Sequence, residues 1–326
     1  MSDIPETASR VAVALSGAQV LDAVQWPDLW RRLHATGVTF VVVGIDRLAD
    51  DASWSGPAID SSVAATYLAA GTDGAVLLTA AAHRDHPYNL ARRIASSDHL
   101  SAGRTGVLLG RGDVAAPDDR GAPRAWSGAR LTDGGPLSPE TASNAARALR
   151  ALWLSWPSET IVADRDTGIY ALSDRILQVS HEGVFATAGP LTVPTTAQGS
   201  PPLAWFATDS DDLAAAERVA ELLIIAEPLA PLTGPVASWT LSTVDLDAGS
   251  AAETVEALTE RLGDVVLRST APLERIVRAL EEARAADSFP ASTGVTLRER
   301  IGLTPPAPLE VSDTIVPAFA AAKATR

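Results

Sequence analysis

Cysteine is absent from this chain, and methionine occurs once. Without cysteine the protein has no disulfide bond, no thiolate metal ligand and no cysteine nucleophile. Long apolar runs are also missing, since stretches such as VTFVVVGI and GAVLLTAAA are far shorter than the ~20 residues that a membrane-spanning helix needs. The N-terminal segment MSDIPETASR is polar and acidic and carries no secretory signal. From these absences we expect a cytoplasmic protein with no membrane partner.

Basic charge is scarce. The chain has 26 Lys and Arg residues against 40 Asp and Glu residues, a formal net charge of -14 at pH 7. Binding to a nucleic-acid backbone requires cations that neutralise its phosphates, so this balance argues against a nucleic-acid partner. The hydrophobic share of 46% is that of a compact globular protein. The length allows one large domain or two small ones.

Strand-like and helix-like segments alternate through the first third of the chain. Four short runs that are apolar or β-branched predict buried strands: RVAVALSG, VTFVVVGID, GAVLLTAAA and TGVLLG. Three segments with helical periodicity lie between them: WPDLWRRLHATG, IDSSVAATYLAAG and HPYNLARRIASSDHLSAGR. This alternation predicts parallel strands with right-handed crossovers, in an open doubly wound sheet or a closed (β/α)8 barrel.

Two of these helices have a side that we expect to pack. The second helix places Val63, Tyr67 and Ala70 on one side. The third begins at Pro87 and presents an apolar stripe to the barrel, formed by Leu90, Ala91, Ile94 and Ala95.

The alternation is interrupted in the middle of the chain. Residues 113–137 are rich in Pro, Gly and Asp, and we interpret them as a loop excursion over one barrel mouth. Residues 159–200 alternate polar and apolar positions between turn signals, which predicts an inserted antiparallel β-hairpin segment. Strands and helices then resume, and residues 290–326 form a C-terminal tail. About eight strand-like segments in all favour one α/β domain over residues 1–326, a (β/α)8 TIM barrel with insertions.

The segment HRDH carries His83, Asp85 and His86 close together after the third strand. A His-x-x-His spacing can ligate a metal from a loop, but the sequence places no third ligand, so we expect no metal site. A loop at the carboxyl end of a strand can also place either histidine as an acid–base group. No strand is followed by a G-x-G-x-x-G turn or a phosphate-binding loop of the P-loop type.

Several short motifs occur in the order found in one known family. They are HPYNLARRIASSDHLSAGR, LWLSW, ADRDTGIY, SHEG, GPLTVP, QGSP and, near the end, TLRERIGL. The chain resembles the luciferase-like flavin-dependent monooxygenases, in the branch of nitrilotriacetate monooxygenase, dibenzothiophene-sulfone monooxygenase and pristinamycin synthase. The resemblance covers about residues 11–225 in order and the remainder more loosely, with a helix-sized piece lost between ELLIIAEPL and VASWTLSTV. It implies a (β/α)8 barrel that takes reduced FMN from a separate flavin reductase and uses O2 to oxidise a small organic molecule.

The resemblance assigns four positions near the flavin ring. Asp46 matches the acidic residue that ends the family's second strand, and Thr79 matches a threonine near the end of the third. Ala82 stands in a run that is rich in hydroxyls in the family. Leu108 stands, with Val107, where the family has Trp-Asn, and leucine cannot donate or accept a hydrogen bond.

The resemblance also locates the FMN phosphate. The family has a small, Gly- and Ser-containing loop where this chain has Thr208 and Asp209 in AWFATDSDDL, and a His-Tyr pair near the positions of Ser138 and Pro139. Acidic residues at a helix N-terminus stabilise the helix but repel a phosphate dianion. We therefore expect a self-capped helix at Asp209 in place of a phosphate cradle.

Two functions follow from these residues. In the first, the chain is a reduced-FMN monooxygenase whose flavin-binding positions have degraded. In the second, it is a catalytically inactive barrel subunit that binds no cofactor and forms a dimer with an active luciferase-like homologue.

Overall fold

The computed structural model describes residues 9–49, 59–114, 137–229, 236–246, 249–312 and 314–319. Within these ranges the strands are β1 Val11–Leu15, β2 Val41–Val43, β3 Val76–Thr79, β4 Thr105–Leu109, β5 Leu177–Gln178, β6 Ser180–His181, β7 Thr187–Ala188, β8 Leu203–Ala207, β9 Leu222–Ala226, β10 Ala237–Thr243, β11 Val265–Arg268 and β12 Val316–Pro317. The helices are α1 Gly17–Gln25, α2 Pro27–Ala35, α3 Ser61–Ala70, α4 Pro87–Leu100, α5 Pro139–Trp153, α6 Ser210–Ala216, α7 Ala251–Leu262, α8 Leu273–Ala285 and α9 Leu297–Arg300. None of the helices in these ranges is long and apolar enough to cross a membrane.

Eight strands close into a parallel barrel in the order β1-β11-β10-β9-β8-β4-β3-β2. The barrel closes between β1 and β2, where Val13 lies opposite Val41. Strands such as β1 and β8 are buried at every position, because alternate side chains face the barrel interior and the surrounding helices. The closed order decides between the two expected architectures, and the predicted (β/α)8 barrel is confirmed.

Helix α4 packs as the sequence predicts, but α3 does not. In α4 the stripe Leu90, Ala91, Ile94 and Ala95 is buried. In α3 the prediction was wrong, because Val63 and Tyr67 are 61% and 57% exposed. The buried side of α3 is formed by Ser61, Ala64, Ala65, Leu68 and Ala69. The helix is apolar on nearly every side, so periodicity could not select a face, and the small residues allow closer packing against the barrel.

The second strand ends earlier than its apolar run. Regular pairing stops at Val43, and Gly44 adopts a left-handed conformation with φ of 79°. A side chain at Gly44 would bring a Cβ within 2.5 Å of the Ser61 hydroxyl oxygen, so this position requires glycine. Asp46 therefore lies in a 3-10 helix, Ile45–Arg47, rather than at the end of the strand.

Short antiparallel pairs lie between α5 and β8. Strands β6 and β7 form a hairpin with Ser180 opposite Ala188, and Ile161 bridges Ala171. Strand β5 pairs with β12 near the C-terminus. The predicted inserted hairpin is part of the fold. The loop excursion predicted at 113–137 lies outside the described residues except for 113, 114 and 137.

One connection of the barrel is unusually short. Residues 227–236 join the parallel strands β9 and β10, and the described part of this connection contains no helix. A parallel crossover normally takes a dozen or more residues and includes a helix. The short connection agrees with the loss of a helix-sized piece that the sequence resemblance implies.

Helix α9 closes the end of the barrel at which the strands begin. Arg298 is only 2% exposed. Its Nη1 donates to Glu221 Oε1 at 2.7 Å and to the Thr304 carbonyl oxygen at 2.8 Å, and its Nη2 donates to the Ser200 carbonyl oxygen at 3.0 Å. Because residues 200 and 221 precede β8 and β9, this arginine ties the TLRERIGL motif to the base of the barrel.

Candidate functional site

The carboxyl ends of the barrel strands are where (β/α)8 proteins place their sites. In this chain three polar clusters lie there, one after β2, one after β3 and β4, and one after β8. The partners of each side chain decide what the cluster can bind.

Asp46 stabilises the start of helix α1. Its side chain is buried, and both carboxylate oxygens lie 3.0 Å from the backbone nitrogen of Gly17, which donates the hydrogen bond. A carboxylate at a helix N-terminus is favoured by the exposed N–H groups and the helix dipole. Ser16 and Gln19 form a capping box at the same terminus. The structure thus places Asp46 in contact with the chain's own backbone.

Thr79 also bonds within the chain. Its hydroxyl lies 3.0 Å from the carbonyl oxygens of both Val43 and Gly44 and 2.9 Å from the Ser61 hydroxyl. A hydroxyl has one proton to donate, so Thr79 shares this proton between the two carbonyl oxygens and accepts a hydrogen bond from the Ser61 hydroxyl. The side chain is 2% exposed and fixes the turn that follows β2.

Ala82 and Leu108 are apolar positions in the core. Ala82 is 1% exposed and packs between the barrel and its helices, whereas Leu108 is fully buried inside the barrel. Leu108 lies opposite Thr79 in the β3–β4 register. Leu48 and Phe206 belong to the same interior group as Leu108 and are 4% and 3% exposed.

The turn from β8 into α6 is capped by carboxylates. Asp209 is the N-cap residue, and its Oδ1 accepts the backbone N–H groups of Asp211 and Asp212 at 3.0 Å each. Asp212 Oδ2 accepts the Thr208 N–H at 2.9 Å and the Thr208 hydroxyl at 2.8 Å. The self-capped helix that the sequence indicates is therefore observed. The same happens at α5, where the Ser138 hydroxyl accepts the Thr141 N–H at 3.2 Å.

Arg111 neutralises part of this acidic turn. Its guanidinium pairs with Asp209, lies 3.7 Å from Asp212 and donates to the Thr208 hydroxyl at 3.4 Å. The backbone N–H of Asp212, and then the Arg111 guanidinium, hold the pKa of Asp209 below its usual value. The carboxylate is therefore ionised at neutral pH.

A histidine–aspartate pair forms the third cluster. His83 Nε2 lies 3.5 Å from Asp113 Oδ2, and Arg47 Nε lies 3.3 Å from Asp113 Oδ1. The Asp113 side chain is fully buried and that of His83 is 12% exposed. Burial lowers the pKa of His83 more than the nearby Asp113 raises it, so the imidazole is neutral at pH 7. A neutral imidazole at the barrel mouth can accept a proton.

The other members of the HRDH segment point to separate partners. His86 caps α4, with Nδ1 accepting the Tyr88 N–H at 3.4 Å, and its Nε2 lies 3.2 Å from the Ala186 carbonyl oxygen. Asp85 pairs with Arg93 at 2.9 Å. Across the described part of the chain, no group of three or more His, Asp or Glu side chains could hold a metal ion.

Sequence reasoning missed Arg47, Arg111 and Asp113. The GRGD run after β4 holds two of them, and its position at a strand end was the signal that could have identified them. The role of Arg47 depends on a contact across 66 residues, which no local pattern shows.

Comparison with known proteins places these features in a family context. No protein-family model matches the chain. It is 32% identical over 250 residues to one of the subunits of pristinamycin IIA synthase from Streptomyces pristinaespiralis, a match that covers 73% of this chain and 76% of that protein. It is 28% identical over 150 residues to N-acetyl-S-(2-succino)cysteine monooxygenase from Bacillus subtilis, covering 46% of this chain and 33% of that protein. The chain thus spans about a third of the length of that second relative.

The fold comparison agrees. EDTA monooxygenase from Chelativorans sp. BNC1 superposes with a TM-score of 0.67 at 16% sequence identity, and the match covers 91% of this chain and 99% of that one. At 16% sequence identity the superposition is evidence for the fold alone. Together with the identity and coverage of the pristinamycin synthase protein, these matches show that the chain belongs to the luciferase-like flavin-dependent monooxygenase family.

Proposed function

We propose that this chain is a subunit of a luciferase-like monooxygenase that does not hold FMN itself and pairs with a homologue that does. One observation carries the proposal. The carboxylates of Asp209 and Asp212 accept the N–H groups of the β8–α6 turn, where the family resemblance locates the FMN phosphate.

The electrostatics of this turn support the proposal. A bound phosphate would lie against two carboxylates, and each pair of like charges at a few ångströms costs about 1–4 kcal/mol in surroundings between bulk water and a protein surface. Arg111 is the cation at this turn, and it already pairs with Asp209 and lies near Asp212. The residues therefore do not fit a phosphate dianion.

The ring-binding positions support the same conclusion. The Asp46 carboxylate accepts a backbone N–H, and the Thr79 hydroxyl bonds to backbone carbonyls and to Ser61. Ala82 and Leu108 offer no hydrogen-bonding group. Among these four positions the Thr79 hydroxyl is the one side-chain donor, and it is already used within the chain.

The pairing part of the proposal draws on a relative. The protein from Streptomyces pristinaespiralis is named as one subunit of a synthase. By extension we propose that this chain forms a dimer with a luciferase-like homologue. We propose a location in the cytoplasm, because a chain without cysteine needs no oxidising compartment.

We also propose one domain over residues 1–326, since β12 from the tail 290–326 pairs with β5 from the insert 159–200.

A second function is favoured by the His83–Asp113 pair. A neutral imidazole beside a buried carboxylate at the mouth is suited to proton transfer on a small organic substrate. Under this alternative the chain takes reduced FMN from a flavin reductase. The bound FMN together with O2 would supply the chemistry, and His83 would transfer a proton.

An FMN titration separates the two functions. The purified chain is titrated with oxidised FMN by calorimetry and with reduced FMN by anaerobic fluorescence. The proposal predicts no saturable binding up to about 1 mM, a binding free energy weaker than about -4 kcal/mol. Micromolar binding supports the monooxygenase and contradicts the proposal. Co-purification with a full-length family member tests the pairing, and a monomer in the presence of that protein contradicts it.

A further inference from the structure

An open cleft of mixed polar and apolar lining lies at the end of the barrel opposite the strand carboxyl ends. It encloses about 500 Å³ between the end of α2, the turn from α3 to β3 and the segment that precedes α9. Its wall includes the polar side chains of Arg31, His34, Asp73, Ser292 and Arg300. None of these residues belongs to the clusters at the barrel mouth.

His34 is a half-buried residue of this wall, and both of its ring nitrogens are shielded from solvent. Its ring stands edge-on to Trp30, with centroids 4.2 Å apart, and packs on Gly74, where an added Cβ would come within 2.2 Å of the ring. Neither ring nitrogen has a hydrogen-bond partner among the described residues. Burial, and then the charges of Arg300 and Arg104, lower the pKa of His34 to about 3, so the ring is neutral. A neutral imidazole still has one N–H to donate.

Two arginines hold the same turn beside this ring. Arg104 Nη2 donates to the carbonyl oxygens of Ala69 and Thr72 at 3.2 and 2.9 Å. Arg300 Nη2 donates to the carbonyl oxygen of Asp73 at 2.7 Å. Arg300 Nε also donates to the Gly294 carbonyl oxygen at 3.1 Å. Carbonyl oxygens carry only partial charge, and among the described residues Asp73 supplies the one negative charge that acts on Arg300, so the two positive charges are only partly compensated. The Asp73 carboxylate is the acidic side chain in the cleft wall, and it is exposed to solvent.

Further donors in this region have no acceptor. The Ser292 hydroxyl and the Arg104 Nε are buried and have no hydrogen-bond partner within the described residues. Buried donors in folded proteins are almost always satisfied by protein or ordered water, so the unsatisfied donors around this cleft favour an acceptor there, either water or an anion.

We propose that this cleft binds a small anion through carboxylate or phosphate oxygens. Guanidinium groups match the planar spacing of such oxygens, and the His34 N–H and the Ser292 hydroxyl add neutral donors. An anion bound here stabilises the folded chain, because it binds the native state only.

Two probes test the proposal: inorganic phosphate and citrate, each titrated against the wild-type chain by calorimetry and thermal unfolding. Sodium chloride at matched ionic strength is the blank. We expect at least one probe to bind and to raise Tm with its concentration. A response to phosphate alone or to citrate alone identifies which oxygen group the cleft takes. Tm curves that equal the chloride blank for both probes up to about 10 mM, with no calorimetric signal, overturn the proposal.

Matched variants assign the binding to the cleft. Arg300→Gln removes one guanidinium and is expected to weaken binding by tenfold or more. Arg278→Gln makes the same charge change on an exposed residue of α8 and is expected to bind as wild type. Unchanged affinity in Arg300→Gln, or equal losses in both variants, contradicts the proposal.

A second variant keeps the test valid if Arg300→Gln does not fold. Ser292→Ala removes only a hydroxyl that has no partner in the structure, and we expect it to fold and to bind several-fold more weakly. Binding equal to wild type argues against the proposed site. These outcomes do not depend on whether the chain binds FMN.

Discussion

The two ends of the barrel use their polar side chains differently. At the carboxyl ends of the strands, the side chains of Asp46, Thr79, Asp209 and Asp212 bond to the chain itself. At the opposite end, Arg298 is tied to Glu221 and Ser200, but the neighbouring cleft leaves His34 and Ser292 without partners within the described chain.

This difference shows that the position of a polar side chain in the fold does not by itself identify a binding or catalytic site. The carboxyl ends of the strands are the usual site of a (β/α)8 barrel. Here Asp46, Thr79, Asp209 and Asp212 stabilise helix starts and turns. His34 and Ser292, whose donors lack an acceptor among the described residues, lie at the end usually associated with stability.

The largest effect is expected at the closed base of the barrel. Arg298→Ala leaves the Glu221 carboxylate partly buried without its main cation, and loss of one partner of a buried ion pair costs about 3–5 kcal/mol. Urea unfolding measures the loss, and Arg278→Ala on the exposed face of α8 is the control, with an expected change within about 0.5 kcal/mol. A loss below about 1 kcal/mol for Arg298→Ala contradicts the structural role.

The next effect tests the carboxylate at the β8–α6 turn. Asp212→Ala removes the acceptor of both the Thr208 N–H and the Thr208 hydroxyl. We expect a loss of about 2–3 kcal/mol in the free energy of unfolding, because hydrogen bonds to a charged acceptor contribute more than neutral ones and Asp212 accepts two of them. The neighbouring Asp211→Ala change is the control, since Asp211 contributes only its backbone N–H to the cap. Equal stabilities of the two variants would show that the Asp212 carboxylate does not hold the turn.

A pH series tests the buried histidine at the other end. The pKa of His34 is lowered to about 3 by burial, whereas an unfolded histidine titrates near 6.5. Between these values the unfolded chain binds the extra proton, so the His34 contribution to stability is complete above pH 6.5 and is lost as the pH falls toward 3.

The variant His34→Phe isolates this contribution. His83 and His181 also have lowered pKa values and contribute to the pH dependence of stability. Because both histidines remain in His34→Phe, the difference between the wild type and this variant isolates the contribution of His34. Between pH 6.5 and 5 the wild type is expected to lose about 2 kcal/mol more than His34→Phe. Parallel pH curves for the two proteins would mean that His34 is solvated in the folded state.

The smallest effect is expected at Thr79. Thr79→Val keeps the shape of the side chain but leaves the carbonyl oxygens of Val43 and Gly44 without the hydroxyl donor. Loss of one such hydrogen bond costs about 1 kcal/mol. Chemical unfolding of Thr79→Val and of Thr79→Ser, which retains the hydroxyl, measures the difference. A valine variant as stable as the serine variant would leave the hydroxyl without a structural role.

The sequence predicted much of the fold because its signals are local. Alternating buried runs and helices, together with the motif order, were sufficient for the closed barrel and for the inserted hairpin. The packing side of α3 was not predictable, because the helix is apolar nearly all round. The early end of β2 depends on the left-handed Gly44 and its contact with Ser61, which are far apart in sequence.

The candidate site was likewise predictable from the sequence in one part and not in another. The Asp209 cap could be predicted, because a helix N-cap bonds to groups two and three residues away. The partners of Asp46 and Thr79 are backbone atoms about 30 residues away along the chain, Gly17 and Val43, and no local pattern shows them. Resemblance to a family locates such positions. It does not reveal that their side chains form hydrogen bonds to backbone atoms of the same chain.

The most direct test of the central claim is the binding of reduced FMN at the β8–α6 turn, followed anaerobically by fluorescence in the wild type and in the paired variant Asp209→Asn with Asp212→Asn. The account predicts no saturable binding by the wild type up to about 1 mM. Removal of the two negative charges in the paired variant is expected to strengthen binding of reduced FMN. Micromolar binding by the wild type would contradict the claim that this turn excludes the flavin phosphate, whatever the affinity of the paired variant.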